Sequence, residues 1–451
     1  MVLRIYNTFS REIEDFKPQA DPAVGLYTCG PTVYNYPHIG NYRTFIAGDI
    51  LKRTLLSLGF SVNHIMNITD IDDKTIRDSI KEGKNLLEFT QFYTDEFFKD
   101  RDQLLIIPAS HYPKATDYIE EMVLLIEVLI QKGYAYKNPD GNVYFSIKKD
   151  EDYGKLSHLD MTALKDNAGG RLVKDEYEKD DVQDFALWKA WDENDGGVFW
   201  ETSLGKGRPG WHIECSAMSM KHLGTTIDIH TGGVDNMFPH HENEIAQSES
   251  VTDKPFVNYF MHNEWLLVDG KKMAKSAGNF YTLRDITEKS YNPLSYRYFC
   301  FLTHYRTPIN FSWEALTAAQ NALDNIQTFY ALNYTESTSI HRDYQERFQI
   351  ALCDDLNTPM AIAVVWDLIK DDEVSLEVKI GTLKYFDTVL GFNIRALLPE
   401  ISHEAQELMT LRDTARLEKD WTKSDELRSH IESLGFKVFD TTAGTKIIKK
   451  F

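Results

Sequence analysis

The chain has 451 residues, of which 42% are apolar and 26% charged, and its net charge is −20. Such a length holds roughly two to four domains, and the composition is that of an ordinary globular protein. The first residues contain no apolar signal core, and no apolar run is long enough to cross a bilayer, which excludes a membrane-spanning protein. We expect a cytoplasmic protein with no membrane partner.

The acidic charge, taken alone, argues against binding to nucleic acid, because a nucleic-acid site needs a basic footprint. Residues 409–451 depart from the average, with nine Lys and Arg against seven Asp and Glu. The four scattered cysteines are too few for a disulfide framework in a chain of this length. We predict that Cys300 and Cys353 are core thiols, whereas Cys29 and Cys215 need a separate explanation.

The first predicted elements form a β-α-β unit. Residues 24–29 form a buried strand that ends at Gly30-Pro31. Apolar residues then recur at helical spacing from Phe45 until Gly59 closes the helix, and residues 61–68 form a second strand. Such a unit implies a parallel sheet with a ligand site at the carboxyl ends of its strands.

The pattern changes from residue 115 to residue 205, where it becomes mixed and acidic and indicates an insertion in the sheet domain. After it, residues 226–233 form a strand that runs into a glycine-rich turn. A single strand-like stretch, residues 257–268, leads to Lys272. These segments continue the parallel sheet on the far side of the insertion.

The final third of the chain is mostly helical. Helical periodicity dominates residues 313–395. Near the end we predict one charged helix over residues 411–434, closed by Gly435, then a short strand over residues 436–439 and a basic tail.

Two short motifs indicate phosphate chemistry. His38-Ile39-Gly40-Asn41 lies where the first strand leads into a helix, and free N–H groups at a helix start favour phosphate. Lys272-Met273-Ala274-Lys275-Ser276 places two lysines three apart in a glycine-flanked segment. Each motif alone is equally a loop histidine or a solvated basic turn. Together they fit a site that stabilises negative charge on the phosphates of ATP.

A second group of residues is consistent with a metal site. His240 and Glu244 are four apart and share one helix face, Cys215 lies upstream, and Cys29 ends the first strand. Two thiolates, an imidazole and a carboxylate suit tetrahedral zinc. The alternative is that both cysteines are core thiols, and spacing this dispersed does not decide between the two.

Three neighbouring features also allow two interpretations. Trp211 is either packing or an apolar wall for a small side chain next to Cys215. Thr32 and Thr69 are either turn residues or pocket residues. For residues 67–73, we predict that their carboxylates cap the next helix.

At these motifs the chain resembles the cysteinyl-tRNA synthetases, a family of class I aminoacyl-tRNA synthetases. Long blocks in the family's order carry the resemblance, and such blocks are more specific than either short motif. They are residues 29–34, 67–74, 210–218, 237–247, 354–359 and 419–421.

The resemblance implies an α/β fold with a Rossmann-type parallel sheet, a connective insertion, a helical bundle and a small mixed α/β anticodon-binding domain. The expected segments are the first half of the catalytic domain at 1–118, the insertion at 119–203, the second half with the zinc site at 204–262, a bridging segment with the mobile lysine loop at 263–312, the bundle at 313–398 and the anticodon-binding domain at 399–451.

It also implies one zinc ion per chain, bound by Cys29, Cys215, His240 and Glu244, which takes the thiolate of the substrate cysteine as a further ligand. Because the hydroxyl of serine is a far weaker zinc ligand, this contact rejects serine without an editing site, which an ordinary pocket could not do. The amino-acid site would be lined by Gly30, Thr32, Thr69, Trp211 and His230.

For the nucleotide, the resemblance implies ATP accompanied by Mg²⁺. The residues expected to be catalytic are His38, Asn41, Lys272 and Lys275. The ATP-binding set is His38, Gly40, Asn41, Gly232, Gly233, Asp235, Lys272, Lys275 and Ser276.

Three positions depart from the family pattern. Asn41 stands where a histidine is usual, so it forms hydrogen bonds but carries no charge. Ala274 replaces a serine, although both lysines of the motif remain. Ile447 replaces a tryptophan of the tail that is expected to contact the anticodon, and it cannot stack in the same way.

The main hypothesis is an enzyme that activates L-cysteine with ATP and transfers it to the 3′ end of tRNA(Cys), acting as a monomer. One alternative is a ligase that joins activated cysteine to an amino-sugar of a mycothiol-type pathway. Another is a non-catalytic, zinc-stabilised tRNA-binding protein. Residues 313–451 favour tRNA over the amino-sugar, and His38, Lys272 and Lys275 argue against a non-catalytic protein.

Overall fold

The computed structural model describes residues 1–158, 184–273, 278–441 and 444–450. The chain divides into two compact units that interleave along the sequence. The first comprises Met1–Pro293, Thr303–Ser312 and Leu352–Asn357, and the second comprises Leu294–Leu302, Trp313–Ala351 and Thr358–Phe451. The finer division into six segments stays a prediction.

The first unit mixes strands and helices. Its strands are β1 (Arg4–Asn7), β2 (Glu12–Asp15), β3 (Ala23–Thr28), β4 (Ser61–Met66), β5 (Ala135–Lys137), β6 (Val143–Phe145), β7 (Phe185–Ala190), β8 (Trp200–Thr202), β9 (Gly205–Pro209), β10 (Ile227–Gly233), β11 (Val257–Asn263), β12 (Leu266–Val268), β13 (Lys271–Lys272) and β14 (Ile309–Phe311). Its helices are α1 (Ile39–Ser57), α2 (Asp73–Lys81), α3 (Leu86–Gln103), α4 (Ile119–Lys132), α5 (Trp211–Leu223), α6 (Val234–Asn236), α7 (Glu242–Thr252) and α8 (Leu283–Glu288).

The second unit is mainly helical. It contains α9 (Pro293–Phe301), α10 (Trp313–Leu332), α11 (Arg342–Cys353), α12 (Thr358–Lys370), α13 (Leu376–Leu390), α14 (His403–Leu417) and α15 (Trp421–Ser433), followed by the hairpin of β15 (Phe436–Thr441) and β16 (Gly444–Lys449). The helical region that periodicity predicts is confirmed by α10 to α13. Within the described part of the chain, no helix is both long and apolar enough to cross a membrane.

A parallel four-stranded sheet in the order β11-β10-β3-β4 lies at the centre of the first unit. The predicted β-α-β unit is confirmed as β3, α1 and β4. Helix α1 ends where Gly59 adopts a φ of +93°, a left-handed conformation that glycine takes without strain. All four carboxyl ends lie along one edge of the sheet, as a parallel arrangement requires.

The insertion forms its own antiparallel sheet in the order β5-β6-β7-β9-β8. It shares a hydrophobic core with α4 and α5. An ion-pair network of buried cations around the half-exposed Asp73 also ties it to the start of α2. Lys189 Nζ lies 2.9 Å from Asp73 Oδ2, and Arg208 contacts both Asp73 and Asp195. The insertion is therefore joined to the sheet domain by apolar packing and by charge.

Two predicted elements are wrong. The stretch 257–268 is not one strand, because β11 ends at Asn263 and β12 leaves the main sheet to pair with β13 and β14. The predicted helix over 411–434 is two helices, α14 and α15. Lys419 has a left-handed φ of 63°, and the carboxylate of Asp420 accepts the Lys423 N–H at 3.0 Å as the cap of α15. The basic tail is strand β16.

The last two helices and the hairpin enclose a small core of their own. Ile447 is only 5% exposed in this core, so it serves packing there. The guanidinium of Arg412 is buried and donates to Asp440 Oδ1 at 2.7 Å and to Thr445 Oγ1 at 2.8 Å. Cys300 and Cys353 are buried, as predicted for core thiols.

Asp355 anchors the segment 352–357 within the first unit. Its carboxylate is buried and accepts hydrogen bonds from the hydroxyl of Tyr305 at 2.6 Å, from Nε of Arg306 at 2.6 Å and from the N–H of Tyr6 at 2.8 Å. Each of these donors needs a partner, because an unpaired buried polar group is costly.

We therefore predict that Asp355→Ala lowers the free energy of unfolding of the first unit by about 3–5 kcal/mol, since it leaves a charged partner unpaired. The neighbouring Asp354→Ala is the matched control, because that carboxylate is 57% exposed and lies 3.9 Å from Arg4. Its expected cost is below about 1 kcal/mol. Urea denaturation followed by fluorescence measures both, and equal costs for the two variants would contradict the prediction.

Candidate metal centre and active site

A cavity of about 360 Å³ opens at the carboxyl ends of the parallel strands. Residues from both predicted phosphate motifs line it, as do residues from the predicted amino-acid site. The predicted residues on its wall are Cys29, Gly30, Thr32, His38, Gly40, Asn41, Trp211, Asp235 and Lys272. Segments separated by more than two hundred residues in the sequence therefore face one space.

His38 is the N-cap of α1 and lines the cavity, so the positive end of the helix dipole lies at the cavity. Its Nδ1 accepts the N–H of Asn41 at 3.1 Å, and Oδ1 of Asn41 accepts the N–H of His38 at 3.1 Å. Asn41 thus acts as the acceptor of a reciprocal cap, a role that needs no positive charge. A Cβ on Gly40 would lie 2.8 Å from Cε of Met273 and 3.0 Å from the His38 ring, so Gly40 lies where the two motifs approach each other closely.

Lys272 ends the short strand β13 at the cavity. Its Nζ lies 3.4 Å from the centroid of the Trp265 ring, which is a close cation–π contact. Its carbonyl accepts a hydrogen bond from Nδ2 of Asn279 at 3.1 Å. Lys275 and Ser276, with Ala274, lie outside the described residues.

The four predicted metal ligands meet in the interior next to this cavity. One donor atom each of Cys29, Cys215, His240 and Glu244 lies within 4.8 Å of every other, and all four residues are buried. Cys29 follows β3, Cys215 lies on α5, and Glu244 lies on α7. The two thiols also belong to a hydrophobic core cluster.

The carboxylate of Glu244 is held asymmetrically. Its Oε1 lies 3.1 Å from Nε2 of His240 and 3.9 Å from Sγ of Cys29, whereas its Oε2 pairs with Nε2 of His230 at 2.9 Å. One oxygen therefore faces the other donors and the second oxygen is anchored. This places His230, fully buried, behind Glu244 and not on the cavity wall.

His240 is oriented from two sides. Its Nδ1 lies 2.8 Å from Nδ1 of His212, and its ring stacks on Trp211 with centroids 4.1 Å apart. Burial lowers the pKa of His240 to about 3, so the ring is neutral. When Nδ1 donates to His212, the lone pair of Nε2 faces the other donors, as a metal ligand requires.

The donor set fits a zinc ion. Ligand atoms about 2.0–2.3 Å from zinc lie about 3.3–3.8 Å apart in tetrahedral geometry, which small side-chain movements would reach from the observed separations. Burial and the nearby Cys215 raise the pKa of Cys29, so without a cation its thiol keeps its proton. A metal would displace that proton and satisfy donors that are otherwise poorly paired.

A second overlapping donor set also occurs, formed by Cys29, His230, His241 and Glu244. His241 Nε2 lies 3.2 Å from Sγ of Cys29, and its Nδ1 lies 2.8 Å from Nε2 of His262. This set has one thiol, and it includes His230, which already pairs with Oε2 of Glu244. The first set, with two soft thiolates, suits zinc better.

Of the predicted amino-acid residues, Gly30, Thr32 and Trp211 line the cavity, whereas Thr69 is buried behind it. A Cβ on Gly30 would lie 1.7 Å from the carbonyl oxygen of Asn67, so the backbones approach as only glycine allows. Thr32 and Thr69 pair as a parallel bridge. The hydroxyl of Thr69 donates to Oε2 of the buried Glu214 at 3.1 Å and accepts from Nδ2 of Asn67 at 3.1 Å.

The acidic segment after β4 caps a helix, as predicted. The carboxylate of Asp72 accepts the N–H groups of Lys74 and Thr75 at the start of α2. Gly232 and Gly233, predicted to bind ATP, end β10 and do not line this cavity. A Cβ on Gly232 would lie 2.7 Å from the ring of His241, whereas Asp235 reaches the cavity wall.

Several residues of the site have no sequence signal strong enough to single them out. His241 and His262 support the donor cluster, Asn67 supports Thr69, and Trp265 contacts Lys272. For His241 a hint existed, since it follows His240 directly. Trp265 lies within the predicted strand over residues 257–268, where an aromatic residue is ordinary.

Comparison with known proteins gives the family. Residues 15–321 match the model of the tRNA synthetases class I (C) catalytic domain, and residues 347–392 match the DALR domain. The cysteine–tRNA ligase of Protochlamydia amoebophila is 47% identical over 99% of this chain and 98% of its own length. The cysteine–tRNA ligase of Chlamydia muridarum is 45% identical over the full length of both chains. That of Brachyspira hyodysenteriae is 43% identical over 99% of this chain and 99% of its own length.

Solved structures agree on the fold. Methionyl-tRNA synthetase of Mycobacterium tuberculosis in complex with methionyl-adenylate has a TM-score of 0.56 at 13% identity, covering 82% of this chain and 90% of its own. A LeuRS in a ternary complex with tRNA, from Agrobacterium radiobacter, has a TM-score of 0.59 at 12% identity, covering 84% and 85%. The parallel sheet, the helical second unit and the full-length relatives lead to one conclusion: the chain belongs to the cysteine–tRNA ligases, a family of class I aminoacyl-tRNA synthetases.

Proposed function

We propose that this enzyme activates L-cysteine with ATP and transfers it to the 3′ end of tRNA(Cys). The observation that carries the proposal is the position of a thiol-rich donor cluster beside the cavity that both ATP motifs line. Such a pairing offers a group selective for sulfur next to a site suited to phosphates.

Zn²⁺, held by Cys29, Cys215, His240 and Glu244, is the proposed resident metal, and when bound it supplies a coordination position that prefers thiolate to hydroxyl. The chain's own residues fix the geometry of this choice. His230 holds the outer oxygen of Glu244, and Trp211 stacks on His240 at the cavity wall. Gly30 and Thr32 line the cavity and are the proposed contacts for the amino and carboxyl groups of cysteine.

In the first step the carboxylate of cysteine attacks the α-phosphorus of ATP, and the bond to the bridging oxygen breaks to release pyrophosphate. Negative charge grows on the phosphates, and positioned donors stabilise it. The proposed groups are His38 with the positive end of the α1 dipole, and the ammonium groups of Lys272 and Lys275, with Mg²⁺ accompanying ATP. In the second step a terminal ribose hydroxyl of the tRNA attacks the carbonyl carbon and AMP leaves.

The small domain that follows the bundle is the proposed reader of the anticodon. Trp421 is 58% exposed, and the guanidinium of Arg416 lies 6.0 Å from its ring centroid. Asp440 holds both Arg416, at 3.0 Å, and Arg412, at 2.7 Å. With Ile447 buried in the core, we assign base stacking to Trp421, because exposed aromatic rings are the usual platform for unpaired bases. We further propose that the enzyme acts as a monomer in the cytoplasm.

Our first prediction concerns the metal. Cys215→Ser removes a soft ligand, so we expect zinc content well below one ion per chain and at least about a tenfold loss of discrimination against serine. Atomic absorption and ATP–pyrophosphate exchange with cysteine and with serine measure the two effects. Cys300→Ser, a buried thiol of the second unit, is the matched control. Full discrimination in a zinc-free Cys215→Ser enzyme would show that the metal is not the selector.

A second prediction concerns Lys272. Lys272→Ala should slow cysteine-dependent ATP–pyrophosphate exchange by roughly 10²–10³-fold, because a charge that stabilises the transition state is lost. The KM for cysteine should change by less than about threefold, since that residue acts on the phosphates. The exposed neighbour Lys271 provides the control as Lys271→Ala. Comparable losses at both positions would remove the specific role of Lys272.

A third prediction concerns tRNA. Trp421→Ala should raise the KM for tRNA roughly tenfold, whereas Trp421→Phe, which keeps a stacking ring, should stay within about threefold of wild type. Charging of tRNA and ATP–pyrophosphate exchange are measured in parallel, and exchange should not change. Normal charging by Trp421→Ala would exclude this residue from anticodon binding.

A further inference from the structure

Arg43 lies on α1, close to the His38 motif, and is only 3% exposed. Its guanidinium donates hydrogen bonds to main-chain carbonyls in two segments that are distant in sequence. Nη1 contacts the carbonyl oxygens of Glu264 at 2.7 Å and Trp265 at 2.5 Å. Nη2 contacts that of Thr307 at 2.5 Å and, more weakly, those of His304 and Tyr305 at 3.4 Å.

These two segments, residues 264–265 and 304–307, belong to one small structure with strands β12, β13 and β14, which we call the platform. The N–H of Glu264 donates to the carbonyl of Tyr305 at 2.8 Å, and the N–H of Ile309 donates to that of Trp265 at 3.1 Å. Just beyond them, β12 and β14 pair in parallel. The guanidinium of Arg43 therefore lies where both segments of the platform direct carbonyl oxygens toward α1.

The same platform carries the second phosphate motif. Strand β13 pairs with β12 so that Lys272 lies opposite Leu267. The ammonium group of Lys272 lies 3.4 Å from the centroid of the Trp265 ring, and Arg43 binds the carbonyl of that tryptophan. A short path of contacts thus runs from α1, which His38 caps, through Arg43 and Trp265 to Lys272.

A guanidinium suits this position because its donors form a planar, rigid fork that addresses several oxygens at once. A lysine would carry the same charge, but its ammonium group is a single point with three donors and lacks the planar fork of arginine. Arg43 is absent from the wall of the cavity, so its effect on ATP must pass through the groups that it holds.

We propose that Arg43 is a positioning residue for the activation step, which fixes the spacing between the start of α1 and the strand that carries Lys272. This inference rests on the proposed function of the cavity. Without Arg43, the two motifs would still be present but would not reach the phosphates together. A misplacement of about 1 Å at a reacting centre can cost roughly a hundredfold in rate.

The experiment is a double-mutant cycle between Arg43→Met and Lys272→Ala, measured by kcat of cysteine-dependent ATP–pyrophosphate exchange. If Arg43 acts by placing Lys272 and His38, Arg43→Met alone should slow exchange roughly a hundredfold. In the Lys272→Ala background the same change should cost less than about tenfold, because the group that it positions is already missing. The KM for cysteine should stay within about threefold, because the cysteine-selecting end of the cavity is held by other residues.

Arg53→Met is the matched control. Arg53 is also on α1 and partly buried, but it pairs with Asp49 at 2.7 Å and with the carbonyl of Leu105 at 2.5 Å, away from the platform. Its effect, whatever its size, should multiply with that of Lys272→Ala. Arg43→Lys repeats the cycle with the charge retained, and it serves in place of Arg43→Met if that variant does not fold.

The outcomes separate two failures. A wild-type enzyme without cysteine-dependent exchange would overturn the proposed function itself. An active wild type in which the Arg43 and Lys272 losses multiply fully, or in which Arg43→Met is as fast as wild type, would overturn only the role of Arg43. Coupling between the Arg43 and Lys272 losses that the Arg53 control does not show, with normal zinc content, would support it.

Discussion

The convergence of four buried donor atoms at one edge of a parallel sheet is the constraint on which the site depends. Cys29 enters from β3, Cys215 from α5, and His240 and Glu244 from the turn and helix after β10. Groups of this kind are costly to bury unless they are paired or coordinate a metal. The sheet must therefore hold these segments in register, and the packing around them must keep water out.

The histidines around the four donor residues hold the donor side chains in fixed orientations. His230 anchors one oxygen of Glu244, and His212 orients His240 from behind. Burial lowers the pKa of His212 and of His240 to about 3, so both rings stay neutral at physiological pH. A neutral imidazole can present one lone pair and one N–H in defined directions, which a charged ring cannot. The order of the site thus follows from its exclusion of solvent.

At the proposed ATP site, the local charges matter more than the net charge of the chain. The chain as a whole is strongly acidic, yet ATP is an anion. Local groups decide the potential that a bound phosphate experiences, since exposed charges more than about 10 Å away are largely screened by salt. In the proposed ATP site, the helix start at His38 and the ammonium group of Lys272 would supply that local field. Some nearby acids are already engaged elsewhere, as Asp73 is by Lys189 and Arg208.

The sequence alone predicted the β-α-β unit and singled out both motifs, because periodicity and turn glycines are local signals. The full fold class and the four metal ligands came from the resemblance of long sequence blocks to a family, since the spacing of the ligands did not decide between a metal site and core thiols. The predicted ends of two elements were wrong. The strand predicted over 257–268 ends at Asn263, and the helix predicted over 411–434 is interrupted at Lys419. Neither the left-handed backbone conformation of Lys419 nor the change of strand partner at β12 alters the hydrophobic pattern of the sequence. Only the tertiary structure decided that Asn41 completes a cap, that His230 supports Glu244 and that Arg43 bridges α1 to the platform of Lys272. Each of these roles depends on atoms brought together from distant parts of the chain, and such contacts exist only once the core has packed.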